Sequence, residues 1–128
     1  MRALLALSAL AAACGGGPGR LDRVPEGPWG GEHVSLLVHA TGAAVDLDCA
    51  RGEITVPLRL DADGTFRLPG YYVREVGPMF DPENQRPVTW SGTSDGQRLT
   101  LSFTFEDGSG DGPFTAFAGG QALVEQCR

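Results

Sequence analysis

Four groups of side chains have the types and spacing for chemistry. Asp107-Gly108-Ser109-Gly110-Asp111-Gly112 fits D-x-S-x-D-G, the opening of an EF-hand calcium loop, where alternate oxygen-bearing residues converge on one hard cation. The twelfth position holds Ala118 where a bidentate Glu is needed. The alternative is a glycine-rich hairpin loop with solvated carboxylates, so the expectation is no cofactor, with Ca2+ at Asp107, Ser109 and Asp111 as the weaker choice. Upstream, Met79 and Phe80 stand in an irregular Gly/Pro-bounded segment with Asp81, Glu83 and Asn84. Exposed, the two apolar side chains would anchor a small apolar ligand or an envelope protein; folded down, they would cap an open end. Asp81 and Glu83 would also add oxygens beside Asp107. Asp46 and Asp48 alternate outward, about 7 Å apart, with His39 and Arg59 expected on the same face. Carboxylates beside a His can do acid–base work, but on an open wall nothing desolvates them. The fourth group is Cys14, Cys49 and Cys127.

No G-x-S-x-G elbow, H-E-x-x-H pair or phosphate-cradling loop occurs, so an enzyme is the last expectation. Sixteen acidic residues oppose ten basic ones, all Arg, for a net charge of −6. Phosphate binding needs a basic surface, so nucleic acid is excluded as a partner.

The first residues position Cys14. Arg2 supplies a minimal basic start, and residues 3–13 form an apolar run ending in small residues. That length suits a secretory signal and falls well short of the roughly 20 residues of a membrane span. Leu10-Ala11-Ala12-Ala13-Cys14-Gly15 resembles the lipobox of bacterial lipoproteins. The resemblance implies a signal peptide over residues 1–13, a lipid on Cys14, and residence in the bacterial cell envelope, facing the periplasm or the exterior. Cys49 and Cys127 then remain as one pair, which an oxidising periplasm would close; two free thiols are the alternative. His33 and His39 do not sit at ligand spacing with either Cys. Residues 14–28, rich in Gly and Pro, read as the lipidated Cys and a flexible tether, with residues 29–128 as the folded domain.

The domain alternates apolar and polar residues with period two. Val34, Leu36 and Val38 share a face, as do Val45, Leu47 and Cys49; Ile54, Val56, Leu58 and Leu60; Phe66 and Leu68; Val88 and Trp90; and Leu99, Leu101, Phe103 and Phe105. Residues 113–118 and 122–127 supply two shorter runs. Turns at Thr41-Gly42, Arg51-Gly52, Ala62-Asp63-Gly64 and Asp95-Gly96 pair Val38 with Val45, Leu47 with Val56, Leu60 with Phe66, and Trp90 with Leu101. Eight such strands predict an all-β, antiparallel, up-and-down meander barrel; a two-sheet sandwich is the alternative. Strand parity places Cys49, Cys127, Trp29 and the 76–86 and 107–112 loops at one rim, with tight turns at the other. The chain end would fold inward across that opening, and Trp29 would plug it.

Gly27-Pro28-Trp29 resembles the Gly-x-Trp that opens lipocalin and avidin barrels, and the size and meander are similar to the compact barrels of bacterial lysozyme-inhibitor lipoproteins. The expected function is therefore a non-catalytic binding or inhibitory lipoprotein acting through loops at one rim. A structural, envelope-maintenance barrel is the alternative.

Overall fold

The computed structural model describes residues 21–75 and 84–127. Cys14, Met79, Phe80, Asp81 and Glu83 lie outside the described residues. Eight strands follow one another: β1 (Gly27–Gly31), β2 (Val34–His39), β3 (Gly42–Leu47), β4 (Ala50–Ile54), β5 (Thr65–Arg74), β6 (Arg86–Ser94), β7 (Arg98–Phe105) and β8 (Gly110–Ala118). Each is antiparallel to the next, and β8 pairs with β1, so the sheet closes into the expected up-and-down barrel.

Alternation drives the closure. One face of every strand is apolar, and a sheet with one apolar face buries it by curling on itself. Trp29, Leu36, Val45, Ile54, Phe66, Trp90, Leu99, Leu101 and Ala116 come from all eight strands and fill the interior. Trp90 is the largest demand on that space. Its indole lies against the backbones of Gly52 and Gly70, where an added Cβ would come within 2.5 and 2.6 Å of the ring. Its Nε1–H donates to the Glu53 carbonyl at 3.1 Å.

The strand membership differs from the sequence reading at both ends of the domain. Gly27–Gly31, read as the tether's end and the strand's mouth, is β1 itself. The preceding residues 21–26 also belong to the fold: Leu60 N–H donates to the Asp22 carbonyl at 2.8 Å, and Val24 N–H to that of Leu58 at 2.9 Å. Conversely, residues 122–127 form no strand and touch the sheet's ladder only at Glu32–Leu123. Trp29 consequently sits inside the wall, paired with Leu36 and Ala118, and does not plug the disulfide rim. Its Nε1–H donates to the Pro25 carbonyl at 3.0 Å.

The registers also slide. Leu36 pairs with Val45, Leu47 with Ala50 across an Asp48-Cys49 turn, and Trp90 with Phe103. Residues 55–60 leave the sheet, so Leu58 and Leu60 pack against residues 22–24 and do not pair with β5. Each slide preserves parity, so every interior residue keeps its face.

Candidate functional site

The two ends of the barrel are unlike. At one end the turns after β2 and β6 are tight, and residues 21–26 and 55–60 lie together over the opening, with Val24 and Leu58 buried. At the other end lie the β1–β2 turn (Glu32-His33), the β3–β4 turn (Asp48-Cys49), the β7–β8 loop and the start of the β5–β6 connection. Among the described residues this end carries an open mouth of about 310 Å3, lined by His33, Leu47, Asp48, Tyr72, Phe103, Asp111 and Phe114.

Its floor is aromatic. Tyr72 stacks on Phe103 with centroids 4.7 Å apart, and Phe105 meets both rings edge-on at 5.3 and 5.4 Å. Burial pushes the Tyr72 phenol above its ordinary range, with the Asp111 charge adding to the rise and Arg74 and Arg86 opposing it. The Arg86 guanidinium lies over the Phe105 ring, 3.7 Å from its centroid, and 4.0 Å from the Asp107 carboxylate.

The polar side of the mouth is built around Asp48. Its Oδ2 accepts from His33 Nδ1 at 2.5 Å, and its Oδ1 accepts the Glu125 N–H at 2.8 Å. The Glu125 bond, helped by His33, holds the carboxyl below its ordinary value of 3.8. His33 occupies the left-handed region (φ 69°), as does Cys49 (φ 58°). A β-carbon there costs on the order of 1 kcal/mol or more, so the neighbours must hold these turns in place.

The C-terminal segment does so. It passes outside β1, where Gly30 and Gly120 touch backbone to backbone, and it does not turn inward across the mouth. Leu123 N–H donates to the Gly31 carbonyl, His33 N–H to that of Leu123, and Cys49 N–H to that of Glu125. Cys127 thereby reaches disulfide distance of Cys49, with Cα atoms 4.8 Å apart across a sequence separation of 78.

The remaining sequence candidates do not converge. Asp107 Oδ1 accepts both the N–H (2.9 Å) and the hydroxyl (2.6 Å) of Ser109, and Asp111 accepts the Gly112 N–H at 2.8 Å. Among the described residues no three His, Cys, Asp or Glu side chains are grouped to hold a metal ion. Asn84 leads into β6. Asp46 faces solvent, 3.9 Å from Arg51, and Asp48 pairs with His33 and not with His39, whose Nδ1 meets Thr41. Tyr72 and Phe114 were missing from the sequence candidates. The signal for Tyr72 was its parity with Phe66 and Leu68, interrupted by Pro69 and Gly70. No family model, curated protein or solved structure matches this chain.

Proposed function

We propose that this chain is an exported, lipid-anchored, non-catalytic binding or inhibitory barrel that engages its partner through the mouth at the disulfide rim. The observation that carries the reading is the contrast between a filled interior and an open, aromatic-floored mouth at one end. A barrel packed by Trp29, Trp90, Leu99 and Leu101 leaves recognition to its ends, and loops carried on a rigid scaffold are where binding is usually placed. The His33–Asp48 pair resembles an oriented base, but Asp48 is also the clamp for Glu125, which fits a structural role better than a catalytic one.

The chain's path supports the anchoring part. Leu21 reaches Gly96 in the β6–β7 turn, at the end opposite the mouth. A lipid on Cys14 would then hang from that end on residues 15–20, a reach of roughly 20 Å when extended. The mouth would face away from the bilayer.

The test is retention of an envelope component by the immobilised chain and by its Asp111→Arg variant. Asp111 is exposed, so the charge reversal alters the mouth and not the core. Retention by the parent and loss in the variant, with an unchanged unfolding midpoint, is the expected result. Equal retention by both would refute the mouth as the binding surface.

A further inference from the structure

The mouth has a chemistry more specific than apolar. Its seven lining residues include two carboxylates, Asp48 and Asp111, and no Arg. Three aromatic rings, Tyr72, Phe103 and Phe114, supply its floor. Aromatic faces carry the negative lobe of a quadrupole, and a carboxylate at the edge adds a full charge, so both elements attract the same sign. The aromatic cluster already holds one cation in this way, with the Arg86 guanidinium over the Phe105 ring and its charge offset by Asp107. His33, the basic side chain of the lining, is tied to Asp48 through Nδ1. Arg74 and Arg86 act on Tyr72 from β5 and β6, but neither lines the mouth.

We propose that the mouth receives the cationic side chain of an Arg or Lys from a partner protein, laid on Tyr72 and Phe114 with Asp111 as its principal counter-charge. This deepens the binding reading above and rests on it for the protein source of the cation. Asp111 is the better counter-charge because Asp48 is engaged on both oxygens, by His33 and by the Glu125 amide. The Asp111 bond is to the amide of its own neighbour, Gly112.

The experiment is an NMR titration of the full chain, ring-labelled at Tyr and Phe, with four small probes. These are acetyl-arginine amide, acetyl-lysine amide, the neutral isostere acetyl-citrulline amide, and choline. The two amino-acid cations are expected to shift the Tyr72 and Phe114 ring signals with a Kd on the order of 1–10 mM, and citrulline to bind about five- to tenfold more weakly. Asp111→Asn keeps the oxygen that accepts the Gly112 N–H and removes only the charge. It should weaken the cations by a similar factor and leave citrulline unaffected, with core ring signals such as that of Phe66 unmoved. Equal shifts from citrulline and arginine, or an Asp111→Asn variant indistinguishable from the parent, would overturn the proposal. Choline binding more tightly than either amino acid would overturn the protein source in favour of a quaternary-ammonium headgroup. The two readings fail separately. Partner loss in Asp111→Arg without any response to the cationic probes refutes the cation and leaves the binding surface standing.

Discussion

Asp48 shows how one side chain can tie a turn to a segment 77 residues further on, because its two oxygens serve His33 and the Glu125 amide at once. Its folded-state value is lowered, so the stabilisation it gives is present above its ordinary value of 3.8 and lost as pH falls through the lower, folded value. The protection of the Glu125 amide, the slowing of its exchange relative to an unstructured amide at the same pH, should therefore fall on acidification through that window. Asp48→Asn should show little protection at any pH and flatten the response. An unchanged acid response in the variant would assign the effect to other carboxylates. Trp90 makes a second prediction at this scale. A Cβ at Gly52 meets the indole at 2.5 Å and the Tyr71 carbonyl at the same distance, so Gly52→Ala should lose about 1–3 kcal/mol of stability by overpacking. Combining it with Trp90→Phe, which retracts the ring edge, should cost less than the sum of the two changes measured singly by denaturant unfolding. Simple additivity would mean that the indole is not what Gly52 accommodates.

At the scale of elements, the disulfide-distance pair and Gly30 define what the C-terminal segment does. Mass spectrometry of non-reduced protein should find Cys49 joined to Cys127. Replacing both by Ser should destabilise the barrel by roughly 2–4 kcal/mol, the usual range for a bridge closing a long loop. An added Cβ at Gly30 would meet the Gly120 carbonyl oxygen at 2.4 Å and the Ala122 nitrogen at 2.7 Å, so Gly30→Ala should lift the segment and expose residues 121–127 to protease before global unfolding. Resistance equal to the parent's would mean the segment is held by the rim bonds alone. This is also the scale at which the sequence was least legible. Which residues face inward was readable from period two, because burial enforces it. Register was not readable, since sliding a strand by two residues leaves every face intact, and Trp90 opposite Leu101 looks as sound as Trp90 opposite Phe103. Gly27–Gly31 hid as a strand because Gly and Pro read as breakers. Here the glycines make room for neighbouring backbone: Gly31 lies against Thr115, and Gly30 against residues 120–122. Residues 122–127 alternate like a strand but are held, short of the disulfide, through Leu123 bonding Gly31 and His33 and Glu125 bonding Asp48 and Cys49. Within the site, the acidic and sulfur-bearing residues were visible in the sequence. The aromatic floor was not, because Tyr72 and Phe114 become neighbours only through closure.

The barrel is filled, covered at one end by residues 21–26 and 55–60 and, among the described residues, open at the other. The anchoring reading predicts that radiolabelled palmitate is incorporated into the parent and not into Cys14→Ala; absence of label from the parent would remove the anchor and leave the barrel's mouth as the remaining claim. That claim is tested most directly by placing a photo-crosslinking residue at position 111, on the mouth, and in a second variant at position 62, in the tight Asp61–Gly64 turn of the opposite end, and irradiating cells that make each. Crosslinks to one envelope component from position 111 and none from position 62 are what the account predicts. The same component captured from position 62 and not from position 111 would contradict it.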